Sequence, residues 1–252
     1  DKEAAKRFID YLPMNGVESC AYPELSQMHQ NCGAFLLKLF HANPFNDYAY
    51  FSTSGSSESI FLAVLLYRLR HPHANRASFK PNLLLSDQSH MAWQKAGFCL
   101  GIELRYFSSQ AFSEEHWKTL EALIDENTIA FCTTLGTTSS LTFEPVEKVN
   151  RFLEQLYNRT NHFVPIHVDA ASGGFVVPFV YPHIQWDFKL KHVKGINVSS
   201  HKYGGVYPSL GWLCFHRDLP HEQLSHQHHY LGQTQTRYPI QFSHSAGPLA
   251  AQ

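Results

Sequence analysis

The sequence lacks an excess of charge of either sign. Its 252 residues carry 20 Lys plus Arg against 21 Asp plus Glu, a formal net charge of −1 with histidine neutral. A protein that neutralises a row of phosphates needs a basic stripe, and this balance supplies none, so no nucleic-acid partner is expected. Long apolar runs are missing too. A membrane helix needs about 20 consecutive apolar residues, and the longest candidate is the stretch from Ile60 to Leu66 inside a helical pattern. No membrane partner is expected either. The opening residues, Asp1-Lys2-Glu3-Ala4-Ala5-Lys6-Arg7, mix both charges and hold no apolar leader core, which points to a soluble cytoplasmic protein. Cysteine is scarce: Cys20, Cys32, Cys99, Cys132 and Cys214 are odd in number, widely spaced and mostly set in apolar strings. They read as buried thiols in a reducing compartment, not as a disulfide framework. Internal repeats, low-complexity tracts and linkers are absent as well, so a single domain over residues 1–252 is expected.

Core-forming residues and histidine are plentiful. With 44% hydrophobic and 16% charged residues, the chain can bury a core, unlike a disordered one. Its 17 histidines have a reference pKa near 6.5, so net charge changes steeply just below neutrality. The cluster of His221, His226, His228 and His229 fits no standard zinc spacing and lies in a polar, glutamine-rich stretch that reads as a loop; no metal is expected there.

Hydrophobic period gives the fold. Apolar strand runs at 47–52, 82–85, 102–107, 128–134 and 164–169 alternate with helical patterns at 58–70, 90–100, 113–124 and 146–157, and two more strands follow at 196–199 and 211–216. Alternation of this kind requires crossovers, hence a mostly parallel seven-stranded α/β sheet. Nearly all the strands are continuous apolar runs, as a sheet covered by helices on both faces demands. The tryptophans Trp93, Trp186 and Trp212 read as core. From Ser245 to Gln252 a helical pattern begins and stops, so the chain is expected to be a fragment.

Ligands of open parallel sheets sit beyond the carboxyl ends of the strands. There, Pro165-Ile166-His167-Val168-Asp169-Ala170-Ala171 places a carboxylate, and Ile196-Asn197-Val198-Ser199-Ser200-His201-Lys202-Tyr203 places an amine. The turn Thr53-Ser54-Gly55-Ser56-Ser57 opens a helix, where free amides, hydroxyls and the positive dipole end suit a phosphate. Taken singly, Ser56 and Ser57 are also an ordinary helix cap, Asp169 a strand-end cap and Lys202 a surface lysine. Together, an amine, a carboxylate and a phosphate cradle are what pyridoxal phosphate requires.

The run from His167 to Phe175, then Trp186-Asp187-Phe188, then Val193 to Gly204 resembles the pyridoxal phosphate-dependent group II decarboxylases, and within them the glutamate decarboxylases. The likeness extends through Tyr22-Pro23, Gly55-Ser56-Ser57-Glu58, Thr134-Leu135-Gly136-Thr137-Thr138, Tyr230-Leu231-Gly232 and Phe242-Ser243. It implies a large cofactor-binding domain without the family's N-terminal arm and C-terminal small domain. By position, Lys202 resembles the lysine that carries the cofactor, Asp169 the partner of its ring nitrogen, and His90 the residue stacked on its ring. Ser56 and Ser57 resemble the phosphate pair, and His201 a phosphate or substrate contact. Thr138 falls beside the cofactor, Ala171 under the ring, and Tyr230 at the loop tyrosine that donates a proton. Phe242 and Ser243 match positions reaching a neighbouring subunit, which implies a homodimer or higher homo-oligomer. The family departs at Ser139-Ser140, where an aromatic residue and glycine are usual, and at His244, where a basic residue is usual. The resemblance implies decarboxylation of a small amino-acid substrate, glutamate to 4-aminobutyrate first. Decarboxylation of an aromatic amino acid or histidine, or a non-catalytic cofactor-binding remnant, stands as an alternative.

Overall fold

The computed structural model describes residues 2–16, 22–109, 112, 116–230, 233–238, 240–241 and 243–252, with the backbone alone over 226–230 and 233–237. Seven strands form one sheet: β1 (Tyr48–Thr53), β2 (Asn82–Ser86), β3 (Glu103–Phe107), β4 (Thr128–Thr134), β5 (Ile166–Asp169), β6 (Val193–Ser199) and β7 (Gly211–His216). Their order is β1-β7-β6-β5-β4-β2-β3. β2, β3, β4, β5 and β6 pair parallel, and β7 runs antiparallel to both β6 and β1. The expected mostly parallel seven-stranded sheet is present.

Helices cover both faces. α3 (Ser56–Arg70) and α4 (Met91–Leu100) lie on one; α2 (Pro23–Leu39), α5 (Trp117–Ala122), α6 (Val146–Thr160) and the short α7 (Val177–Val180) lie on the other. α6 shows why it forms and where it docks. Val146, Val149, Leu153 and Leu156 recur at helical spacing and are buried, while Glu147, Arg151 and Glu154 stay off that stripe. Each such aliphatic side chain removed from water is worth about 1.5–3 kcal/mol. α4 begins on the Nδ1 of His90, which accepts from the Ala92 N–H at 3.1 Å, and ends on Gly101 in the left-handed region, φ 64°. At the ends of the chain, α1 (Lys2–Tyr11) packs on α8 (Gly247–Ala251). No helix among the described residues is long and apolar enough to cross a membrane.

Four features differ from the sequence reading. β5 and β6 are not apolar on both sides: Ile166, Val168, Ile196 and Val198 enter the core under α2 and α6, whereas His167, Asp169, Asn197 and Ser199 alternate onto the face under α3 and α4, and are buried there. The histidine- and glutamine-rich stretch is a two-stranded antiparallel ribbon, β8 (His226–Tyr230) and β9 (Gln233–Arg237), where a loop was expected. Polar strands escape a search for apolar runs. Of the cysteines, Cys132 and Cys214 are buried as expected, but Cys32 is half-buried, Cys99 is exposed on α4, and Cys20 lies outside the described residues. Finally, α1 and α2 had no counterpart in the periodicity reading, although Pro23 at the start of α2 is a position that proline favours. Trp93, Trp186 and Trp212 are buried, as expected.

Candidate active site

The parallel register sets the floor of the site. Asp169, the last residue of β5, stands level with Thr134 on β4 and Asn197 on β6, and only 4% of it is exposed. Asn197 Nδ2 donates to Asp169 Oδ1 at 2.8 Å, the Ala171 N–H donates to the same oxygen at 3.2 Å, and Trp93 Nε1 donates to Oδ2 at 3.1 Å. Both oxygens therefore accept, the role that suits an ionised carboxylate. Trp93 reaches it from the first turn of α4, so the His90 cap and the Trp93 donor belong to one helix start.

The cradle comes from the turn between β1 and α3. Gly55 has φ 149° and ψ 176°, a conformation open essentially to glycine alone. A Cβ on Gly55 would sit 2.9 Å from His201 Cε1, and one on Gly211 would sit 2.6 Å from Gly55 Cα, so both glycines permit the close approach of three segments. Ser199 Oγ accepts from the Ser56 N–H at 3.3 Å and donates to Ser56 Oγ at 2.8 Å, which leaves the Ser56 hydroxyl proton free to point elsewhere. Ser57 is exposed. Glu58 braces the turn: its Oε2 accepts from the Ser54 N–H and hydroxyl at 2.8 and 2.9 Å, and its Oε1 from the Ile240 N–H at 2.9 Å.

Beyond β6 the chain turns at Ser200 and presents His201 and Lys202. Lys202 is exposed, with Nζ 3.4 Å from Ser172 Oγ. His201 is half-buried, and its Nδ1 is buried without a hydrogen-bond partner. The structure brings Ser56, Ser57, His90 and Thr138 to one cleft of about 260 Å³ together with Asp169, Ala171, His201 and Lys202. Ser243 is exposed and lies outside that cleft; Tyr230 ends β8, where only backbone is described; Phe242 lies outside the described residues. A larger cavity, about 780 Å³, opens at the other end of the sheet between Arg70, Asp125 and Phe163. It lies at the amino ends of the strands, where sites of this architecture do not form.

Three residues around Asp169 escaped the sequence reading: Trp93, which passes for core; Asn197, one polar residue in a polar string; and Glu144. Glu144 is buried, and its Oε2 accepts from the Thr134 N–H at 2.7 Å, so it pins the strand end beside Asp169. Burial pushes its carboxyl up to about 7; Ser86 and the Thr134 N–H pull it back, and the negative charges of Asp169 and Asp87 raise it further. The period-two alternation His167-Val168-Asp169 was the legible signal that one face of β5 is polar.

Residues 5–249 match the family model described as the pyridoxal-dependent decarboxylase conserved domain. The chain belongs to this decarboxylase family. Along its whole length it is 36% identical to glutamate decarboxylase 5 of Arabidopsis thaliana, of which it spans 53%, and 35% identical to glutamate decarboxylase beta of Listeria monocytogenes, of which it spans 56%. The solved glutamate decarboxylase of Lactobacillus brevis superposes with a TM-score of 0.89 at 31% identity, over 100% of this chain and 59% of that one. A sphingosine-1-phosphate lyase of Burkholderia pseudomallei, 20% identical, shares the fold with a TM-score of 0.83 over 98% of this chain and 58% of that one. The chain spans about half the length of the curated relatives it matches.

The donor set fits the family's cofactor, pyridoxal phosphate. A buried carboxylate on the floor, an exposed amine on the rim and the Ser56 and Ser57 hydroxyls at a helix start line one cleft, and His201, whose buried Nδ1 has no hydrogen-bond partner, lines it too.

Proposed function

We propose that this chain is the cofactor-binding large domain, over residues 1–252, of a cytoplasmic pyridoxal phosphate-dependent decarboxylase that converts glutamate to 4-aminobutyrate. The observation that carries the chemistry is Asp169 on the floor and Lys202 on the rim of the same cleft; the substrate comes from the glutamate decarboxylases that align along the whole chain.

When bound, pyridoxal phosphate supplies a conjugated ring that draws off the electron pair left as carbon dioxide departs. The chain's own residues do the rest. Asp169 holds a proton on the ring nitrogen, since a carboxylate beside that atom favours its charged form. Lys202 is the point of attachment, exposed enough for its amine to reach a ligand. Ser56, Ser57 and the first amides of α3 hold the phosphate, with His201 as a further donor. His90, Ala171 and Thr138, which line the same cleft, would hold the cofactor ring between them. Tyr230 returns a proton to the substrate Cα in place of the lost carboxylate. Phe242 and Ser243 serve the site of a second copy in a homodimer; the exposure of Ser243, outside its own chain's cleft, supports this.

The test is release of labelled carbon dioxide from glutamate, an aromatic amino acid and histidine by the purified protein loaded with pyridoxal phosphate. Glutamate is expected to be preferred. A preference for either of the others overturns the substrate, and absence of both cofactor absorption and carbon dioxide overturns the reaction.

A further inference from the structure

The residues that hold Asp169 are themselves held, in a fixed order. Because Asn197 gives its Nδ2 to Asp169, its Oδ1 faces away, and His167 Nε2 lies 2.7 Å from that oxygen. A carbonyl oxygen only accepts, so Nε2 carries the ring proton. His167 is fully buried, and burial pushes its pKa down to about 4 against the opposing pull of Asn197 and Asp169, so the ring is neutral and Nδ1 is bare. The Tyr67 hydroxyl, 3.2 Å from Nδ1, is then the donor. Tyr67 donates to His167, His167 to Asn197, and Asn197 to Asp169. Every link points at the carboxylate.

The backbone makes room for this chain of donors. Gly195 on β6 stands level with His167 on β5, and a Cβ there would lie 2.5 Å from the Tyr67 hydroxyl and 2.8 Å from His167 Nδ1. Any other residue would part the two rings. On the β5 side, Cys132 of β4 stands level with His167 and the Trp93 ring meets it edge-on at 5.3 Å, while Tyr67 and His167 are both fully buried. Polar groups left unpaired there are costly, and an all-apolar packing would be the cheaper way to fill the same face.

We propose that Tyr67 and His167 are positioning residues for the site: they fix which nitrogen of His167 is protonated, and thereby which end of the Asn197 amide meets Asp169. The inference rests on the reading of Asp169 as the partner of the cofactor ring nitrogen. Without the Tyr67 donor, the ring proton is free to move to Nδ1; Asn197 Oδ1 then faces a lone pair, the amide turns, and its oxygen opposes the Asp169 carboxylate.

The deciding measurement is long-range proton–nitrogen NMR of histidine-labelled protein, with the His167 signal assigned by its loss in His167→Gln. Wild-type protein, with or without pyridoxal phosphate, is expected to show His167 as the neutral Nε2–H form between pH 6 and 8. Tyr67→Phe, which keeps the ring and removes the donor, should populate both neutral forms and weaken pyridoxal phosphate binding roughly tenfold. His167→Gln, which keeps an N–H for Asn197, should bind the cofactor more tightly than His167→Leu. An Nδ1–H or cationic His167 in the wild type, an unchanged tautomer in Tyr67→Phe, or equal affinities for the Gln and Leu variants would each overturn the proposal. The tautomer is read in cofactor-free protein, so this outcome is separate from the fate of the decarboxylase reading.

Discussion

The floor of the cleft and its rim are built in opposite ways. Asp169, Asn197 and Trp93 are buried, come from strand ends and a helix start, and already hold one another at 2.8–3.1 Å. Lys202, His90, Ser57 and Thr138 are exposed on turns or helix starts, and the one hydrogen bond described for Lys202 Nζ is the long one to Ser172. Under the proposed function, the two parts meet different needs. A carboxylate that must favour a charge on a ligand acts best when its dipolar surroundings are fixed beforehand in a low dielectric. An amine that must bond to an incoming group has to remain accessible. Substitutions on the floor should therefore affect stability and chemistry together, and substitutions on the rim should affect ligand chemistry alone.

The largest test of that division is Asp169→Asn. The new amide presents an NH2 to donors that need an acceptor, so the fold should lose about 1–3 kcal/mol, and turnover should fall roughly 100- to 1000-fold because a neutral group no longer favours a charged ring nitrogen. Chemical denaturation and steady-state kinetics on the same preparation check both; a variant that loses turnover with no change in stability would move Asp169 from floor to rim.

Glu144 tests the floor by pH. Its carboxyl titrates near 7 in the folded protein against an ordinary 4.5, so between those values the folded state keeps a proton that the unfolded chain has lost. Stability from this group therefore falls as pH rises from about 4.5 to 7 and stays low above, by about 3 kcal/mol in full. Glu144→Gln, which can still accept from the Thr134 N–H, should match the wild type near pH 4.5 and exceed it above pH 7. Melts of the pair at both ends of that range give the difference directly.

Smaller effects sharpen the contrast. Trp93→Phe keeps most of the packing but leaves Asp169 Oδ2 short of a donor, at a cost of about 1–3 kcal/mol in stability and roughly tenfold in turnover. Ser57→Ala, on the rim, should weaken cofactor binding only a few-fold, as expected for one hydrogen bond, and leave the melting temperature unchanged. A Ser57→Ala protein that melts as low as Trp93→Phe would erase the distinction.

The same contrast decides what is legible in the sequence. β1 to β7 were legible as short runs between turns, even though one face of β5 and β6 is polar, and the rim residues because Lys, Ser and His stand together at strand and helix ends in a pattern that resembles the decarboxylases, each having an ordinary structural reading when taken alone. The floor's supports were hidden. Trp93 has the composition of core, and its single N–H is all that marks it as a partner of Asp169. Asn197 is one polar residue among several, and only the register of β5 against β6 sets it beside the carboxylate. Glu144 lies after the turn that follows β4 and reaches the floor through a backbone N–H, a contact that leaves no trace in hydrophobic period. The ribbon β8–β9 was missed for a related reason, since its pairing is carried by backbone in a wholly polar stretch.

In the proposed function, one exposed amine, placed over a prebuilt floor, carries the cofactor. Borohydride reduction of the protein with pyridoxal phosphate, followed by peptide mapping, tests it most directly. A single pyridoxyl group on Lys202 is expected, lost in Lys202→Ala while the folding stability changes by no more than an exposed substitution does, about 0.5 kcal/mol. Pyridoxyl groups spread over many lysines, or one retained on another residue in Lys202→Ala, would contradict the account.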